Sequence, residues 1–217
     1  MMHDNIPKIE IFVFDFDGTI VDTAGLKRDT FLEVSNLASG GQKVMEKTLS
    51  EVAGDRHKIF KHWAKSLNKG NQYAAKYCSI YTNLVDNRVT LAPEITGSIQ
   101  LVKSLKQNGK WVFISSATPI QSLDSILRKR GWFDLFHESF GSPNSKIETL
   151  QNEFIPRVAD PKKICVIGDG IDDYESAESC GCEFIPVEIT DTLLNLGMRT
   201  ELTLDKLQQI IKQQYLN

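Results

Sequence analysis

The sequence predicts an α/β protein: a doubly wound parallel sheet core that carries an inserted all-helical subdomain. Three observations lead there. Mostly apolar runs at 9–14, 111–114, 163–167 and 183–187 are rich in β-branched and aromatic residues, and such runs read as strands buried on both faces of a parallel sheet. Outside the insert, segments with helical spacing separate these runs, and strand–helix alternation of this kind builds a parallel sheet. Residues 23–89 show helical spacing with no strand signal. A βαβ unit needs only about 30 residues, yet the 111–114 run begins 96 residues after Asp15, so the surplus is an insertion. The core is therefore expected at 1–22 and 90–217, with the helical insert at 23–89.

Composition bounds the remaining choices. A chain of 217 residues with 41% hydrophobic and 24% charged residues has the balance of a globular protein able to bury a good core. A net charge of −3 argues against bulk nucleic-acid binding. No apolar run approaches the roughly 20 residues that span a bilayer. The first residues, Met1-Met2-His3-Asp4-Asn5, lack a basic segment followed by an apolar one, so a cytoplasmic location without membrane partners is expected. The oligomeric state is not readable. Cys78, Cys165, Cys180 and Cys182 show no zinc-site spacing, and a structural role as thiols is expected for them.

The first strand, Ile9 to Phe14, has five apolar residues in six and runs into Asp15-Phe16-Asp17-Gly18-Thr19-Ile20-Val21-Asp22. Ligands of open α/β sheets sit beyond the carboxyl ends of the strands. A carboxylate pair there suits a hard cation such as Mg²⁺, and a carboxylate is also a nucleophile towards phosphorus. Gly18 allows the chain to turn sharply beside the ligand.

The insert reads as helices over Thr23–Ala38, Lys43–Ala53, Arg56–Leu67 and Gln72–Val85, broken at Gly40-Gly41, Gly54-Asp55 and 68–71, with Asp55 as an N-cap. Residues 23–90 carry 11 Lys and Arg against 6 Asp and Glu, a net +5, and the remainder carries 14 against 22, a net −8. A cationic insert above a carboxylate-bearing core suits an anionic substrate. The chain is expected to re-enter the core at Ala92-Pro93, with Pro93 starting a helix to Gln107 that Asn108-Gly109 ends.

The second strand leads into Ser115-Ser116-Ala117-Thr118-Pro119. With Pro119 opening a helix to Arg130, hydroxyls and free N–H groups would meet at a helix start, which is an anion site. Phe133–Phe140 reads as a short strand. Lys146 precedes a helix at 147–154. The 163–167 strand ends in Gly168-Asp169-Gly170-Ile171-Asp172-Asp173, again placing carboxylates past a strand end. Asp172 and Asp173 also complement the N-terminal dipole of the helix that follows. Residues 188–202 carry no clear signal, and Thr203–Leu216 reads as an amphipathic closing helix.

These stretches, taken in order, resemble the four motifs of the haloacid dehalogenase-like (HAD) superfamily over roughly residues 8–190. The first is Asp15-Phe16-Asp17-Gly18-Thr19-Ile20, the second the apolar strand ending in Ser115, the third Lys146, and the fourth Gly168-Asp169 with Asp173. The chain departs from many relatives in carrying Pro143 before the lysine instead of a Lys-Pro pair. The branch resembled is that of phosphatases, phosphoglycolate phosphatases and β-phosphoglucomutases. It implies a Rossmann-like core with a helical cap between motifs one and two, and a cap that closes over the site and chooses substrates.

The resemblance also implies roles. Asp15 is the nucleophile and Asp17 the acid–base. Ser115, with Ser116 as its neighbouring alternative, and Lys146 bind the phosphoryl group. Asp15, Asp17, Asp169 and Asp173 form the Mg²⁺ site. The implied activity is Mg²⁺-dependent hydrolysis of a small phosphorylated metabolite, such as a sugar phosphate or a phosphoglycolate-like compound, through an aspartyl-phosphate. A sugar phosphomutase resembles the chain in every motif and is the alternative. A phosphoacceptor signalling domain is more distant, because receiver domains have no large insert after the acceptor strand. The superfamily's dehalogenases need no metal and lack the second aspartate, unlike this chain. Gly54-Asp55-Arg56-His57-Lys58 places basic residues at a helix start, where the dipole disfavours them, and caps of this type resemble one another in placing a specificity loop here. Gly54 and Arg56 are therefore expected to contact the leaving group.

Overall fold

The computed structural model describes residues 8–23, 25–52, 55–198 and 203–215, with side chains to 211. The chain divides into two compact units, one of the described residues up to Asp22 and from Ala92 onward, the other Thr23–Leu91.

The first unit is built on a five-stranded sheet. β1 (Ile11–Phe14), β2 (Trp111–Pro119), β3 (Glu138–Ser142), β4 (Ile164–Gly168) and β5 (Glu183–Pro186) lie in the order β3-β2-β1-β4-β5, and every pairing is parallel. β1 and β4 are buried along their whole length. This is why their sequences are unbroken apolar runs rather than alternating ones. Ile11, Val13, Phe113, Phe154, Val166 and Tyr174 belong to one buried cluster. Phe12, Phe14, Val112, Ile114 and Ile167 are buried as well, so both faces are covered. From β1 the chain winds outward to β2 and β3, then crosses to β4 on the other flank of β1. The strand order therefore reverses at β1, and the carboxyl ends of β1 and β4 form the crevice in which open sheets bind ligands.

The second unit holds α1 (Leu26–Asn36), α2 (Gly41–Glu51), α3 (Arg56–Ser66) and α4 (Asn71–Leu91). Asp55 caps α3, accepting from the N–H groups of His57 and Lys58 at 2.7 and 2.9 Å. Trp63, fully buried, packs among Phe60, Tyr73 and Tyr77 and donates from Nε1 to the Gly41 carbonyl at 2.8 Å. Gly41 is confined by this packing, because a Cβ would meet the Ser35 carbonyl and the Trp63 ring.

The remaining helices belong to the core: α5 (Ser98–Gln107), α6 (Ile120–Lys129), α7 (Lys146–Thr149), α8 (Ile171–Cys180), α9 (Asp191–Asn195) and α10 (Leu204–Tyr215). Several elements differ from expectation. Pro93 does not open a helix: Glu94 pairs with Val21 as an isolated bridge, the Asp22 N–H donates to the Pro93 carbonyl, and α5 waits for Gly97, whose φ of 78° ends the extended segment. Pro119 closes β2 rather than opening α6 as its first residue, because β2 continues beside β3 past Ser115. Residues 133–135 form a 3₁₀ turn and β3 begins only at Glu138. Gly41 lies inside α2, and the break is Gly40, at φ 69°. α9, in the segment without a clear signal, is capped by Thr190.

All four cysteines are free, Cys165 buried in β4. No helix among the described residues is long and apolar enough to cross a membrane.

Replacing Trp63 with Phe removes a buried hydrogen bond and part of the volume that fills the helical unit. A loss of about 2 kcal/mol is expected, measurable by urea unfolding of the whole protein.

Candidate active site

The site forms where β1, β2 and β4 end. The Asp15 N–H donates to the Ile167 carbonyl at 2.8 Å, extending the β1–β4 ladder by one residue and aligning Asp15 with the end of β4. The chain then folds back tightly. The N–H groups of Ile20 and Val21 both donate to the Phe16 carbonyl, and the Gly18 N–H donates to the Val21 carbonyl. Gly18, at φ 77°, lies directly against the Asp169 carboxylate, where a Cβ would collide. Thr19, fully buried, donates from Oγ1 to Asp169 Oδ1 at 3.4 Å. The missing side chain at residue 18, together with its positive φ, lets the Asp169 carboxylate lie against this turn.

Lys146 lies at the centre. It opens α7, whose start is fixed by a reciprocal cap between Ser145 and Glu148. Its Nζ is 2.6 Å from Asp173 Oδ1, 2.8 Å from Asp172 Oδ2 and 3.3 Å from Asp15 Oδ1, and its side chain is only 11% exposed. Asp173, 1% exposed, accepts from the Gly170 N–H at Oδ2. Asp172, whose sequence context suggested only a dipole role, is a direct partner of the lysine.

Charge crowding sets the protonation equilibria. Burial pushes the Asp15 carboxyl well above the usual carboxylate range, Lys146 pulls it back, and Asp173 and Asp17 push it up again. Burial lowers Lys146, but Asp15, Asp173 and Asp172 together outweigh that and hold it above its ordinary value. Burial also raises Asp169 and, opposed by Lys146 and aided by Asp172, pushes Asp173 up to about 6.

Asp15, Asp169 and Asp173 each offer a carboxylate oxygen, and these atoms lie within 4.8 Å of one another. All-oxygen donors with one lysine among several carboxylates leave a negative excess that fits a hard divalent cation. The Asp17 carboxylate is not one of this trio. Its Oδ2 accepts from Thr118 Oγ1 at 2.8 Å.

On β2, Ser115 is buried, next to Ser116. Ser116 Oγ accepts from the Thr118 N–H at 3.1 Å and so shapes the turn. The anticipated junction of these hydroxyls with a helix start is found to within one residue: α6 begins at Ile120, with Pro119 as its N-cap residue. Gly141 escaped the sequence reading, and the contacts of Thr118 with Asp17 and of Asp172 with Lys146 were not foreseen. Thr118 and Gly141 lie outside the motif positions, and Thr118 meets Asp17 where β2 leaves its regular register with β3.

Gly54 lies outside the described residues. Arg56 is turned onto α4, within its own unit. Its Nη1 donates to Thr82 Oγ1 at 3.1 Å and lies 3.9 Å from Asp86 Oδ1, its guanidinium is 5.5 Å from the Tyr81 ring, and its side chain is 11% exposed. These contacts give it an anchoring function between α3 and α4.

Residues 12–187 match the haloacid dehalogenase-like hydrolase family, and the chain belongs to that family. Solved structures with the same fold include a predicted phosphoglycolate phosphatase from Haemophilus somnus, 18% identical over 96% of this chain and 99% of that one, with a TM-score of 0.68. A candidate β-phosphoglucomutase from Thermotoga maritima is 17% identical over 94% of this chain and 99% of that one, with a TM-score of 0.73. The HAD-hydrolase candidate YfnB of Bacillus subtilis, bound to magnesium, is 15% identical over 93% and 96%, with a TM-score of 0.65. Among curated proteins no sequence match is found.

Asp173 supplies a test of the crowding. An unfolded aspartate titrates at about 4, below the folded Asp173 at about 6. Between those values the folded chain holds a proton that the unfolded chain has lost. This carboxyl therefore favours the fold below about pH 4, and that contribution disappears as pH rises through about 6. At neutral pH its charge is a cost that a bound cation would relieve. Asp173→Asn is expected to raise the Tm of EDTA-treated protein at pH 7.5 by about 2–5 °C and to shrink the further rise caused by MgCl₂. An unchanged melt in EDTA would refute the crowding.

Arg56→Ala is expected to lower stability by about 1 kcal/mol through lost packing and hydrogen bonding, read by chemical denaturation. A specificity role for Arg56 would appear instead as about a tenfold loss in kcat/KM on the metabolite, absent with p-nitrophenyl phosphate.

Proposed function

We propose that the protein is a Mg²⁺-dependent phosphatase of a small phosphorylated metabolite, working through an aspartyl-phosphate. The observation that carries this reading is the Lys146 ammonium held between Asp15 and Asp173 at the ends of β1 and β4. A buried carboxylate would by itself tend to stay protonated. An adjacent ammonium that remains charged pulls the carboxyl back towards the anionic form a nucleophile must have, against burial and the neighbouring Asp173 and Asp17.

In this reading Asp15 attacks phosphorus while the bond to the leaving oxygen breaks, and Asp17 delivers its proton to that oxygen. A water then attacks the phosphoaspartate, Asp17 accepts its proton, and inorganic phosphate departs with Asp15 regenerated. Lys146 and the Ser115 hydroxyl, with Ser116 beside it, stabilise the phosphoryl oxygens. A Mg²⁺ ion held by Asp15, Asp169 and Asp173 would supply further neutralisation of phosphoryl charge.

Phosphoryl return to a sugar is the second reading, favoured by the fold shared with the candidate β-phosphoglucomutase. Both readings need the same first step, so the products decide between them. A panel of phosphorylated metabolites, assayed with Mg²⁺ for free phosphate and for isomerised sugar phosphate, separates the two.

Asp15→Asn is expected to abolish turnover while leaving the melting curve cooperative, and EDTA is expected to abolish wild-type turnover reversibly. Phosphatase activity retained by a clean Asp15→Asn preparation would rule out the covalent mechanism.

A further inference from the structure

Past Ser115, β2 leaves its regular register with β3. Ser115 pairs with Phe140, and the next pair is Pro119 with Ser142. Three residues of β2, 116–118, therefore lie opposite the single residue Gly141. Bulges of this kind redirect side chains beside functional sites. Two features hold this one in shape. Ser116 Oγ accepts from the Thr118 N–H. Gly141 leaves room underneath, since a Cβ there would come within 2.5 Å of the Thr118 carbonyl and 2.8 Å of the Ile120 backbone nitrogen.

The outcome is that the Thr118 hydroxyl, 5% exposed, donates to Asp17 Oδ2 at 2.8 Å across 101 residues of sequence. A hydroxyl donor to a carboxylate makes a short, strongly directional bond. Asp17 lies at the start of the tight turn after β1, and the bond to Thr118 restricts its side-chain torsions.

We propose that Thr118 is a positioning residue for the acid–base carboxylate: its hydroxyl holds Asp17 in the orientation from which a proton reaches the leaving oxygen. This rests on the reading of Asp17 given above. Thr118 touches no reacting atom in that scheme and acts only through Asp17. The bulge, with Ser116 and Gly141, is the device that brings the hydroxyl there.

The inference makes a demand that a purely structural role does not. The constant kcat/KM reports the step in which phosphoryl moves to Asp15 and the leaving oxygen departs. An alkyl or sugar alkoxide needs a proton as it leaves, whereas p-nitrophenolate departs without one. Loss of the Thr118 hydroxyl must therefore be felt on the first kind of substrate and barely on the second.

The test compares wild type, Thr118→Val and Thr118→Ser as full chains in Mg²⁺. The substrates are the best alkyl phosphate from the metabolite panel and p-nitrophenyl phosphate, with thermal melts alongside. Thr118→Val is expected to lower kcat/KM on the alkyl phosphate by about tenfold or more and on p-nitrophenyl phosphate by less than about threefold. Thr118→Ser, which keeps the hydroxyl, is expected to remain within about threefold of wild type on both. Equal losses on the two substrates, no loss on either, or a serine variant as impaired as the valine variant would overturn the positioning role while leaving the phosphatase reading intact. Wild-type protein inactive on both substrates would overturn the phosphatase reading and this inference together.

Discussion

The ammonium of Lys146, within 3.3 Å of Asp15, Asp172 and Asp173 at once, is the interaction on which the rest of the site depends. Three carboxylates cannot be gathered at the end of a buried sheet without a compensating charge. The surrounding structure is arranged to deliver that charge. A reciprocal cap fixes the start of α7 so that Lys146 projects from its first position. The Gly170 N–H holds the second oxygen of Asp173. β1 and β4 lie side by side, which brings the nucleophile candidate and the acidic loop into range of one side chain.

One positive charge does not balance the set. Asp15, Asp169 and Asp173 all titrate above the ordinary carboxylate range, burial being the largest cause in each case. Such a cluster offers the oxygen donors that a hard divalent cation takes, and a bound cation would relieve the excess charge. The same excess sets Asp17 apart. Its Oδ2 accepts from Thr118, a contact that none of the trio shares, although its charge still reaches Asp15 and Asp169.

Glycine at three positions allows the close approaches involved. Gly18 admits the Asp169 carboxylate, Gly168 admits that of Asp173, and Gly141 admits the bulged backbone of β2. Gly18 was legible as a turn residue beside a ligand. Gly141 was not, because what it makes room for is 23 residues away in sequence, at Thr118.

The sequence by itself determined the fold class, the insertion and the identities of Asp15, Asp17, Lys146, Asp169 and Asp173 as site candidates. Buried parallel strands need unbroken apolar runs, and ligands of such sheets gather at strand ends, so these features are written locally. It also placed Asp55 correctly as a cap, since capping is settled within three residues. Only the tertiary structure decided which residues meet. Pro93 carries a local preference for a helix start, but the bridge of Val21 to Glu94 overrides it, whereas Pro119 both ends β2 and is the N-cap residue of α6. The direction of Arg56 was likewise undetermined, because its partners Thr82 and Asp86 belong to the next helix but are 26 and 30 residues away in the chain. Asp172 bonds Lys146, and Thr118 bonds Asp17, through space created by chain reversals. Residue spacing encodes which groups can lie at a strand end; the angles at which strands and loops arrive there fix which of them touch.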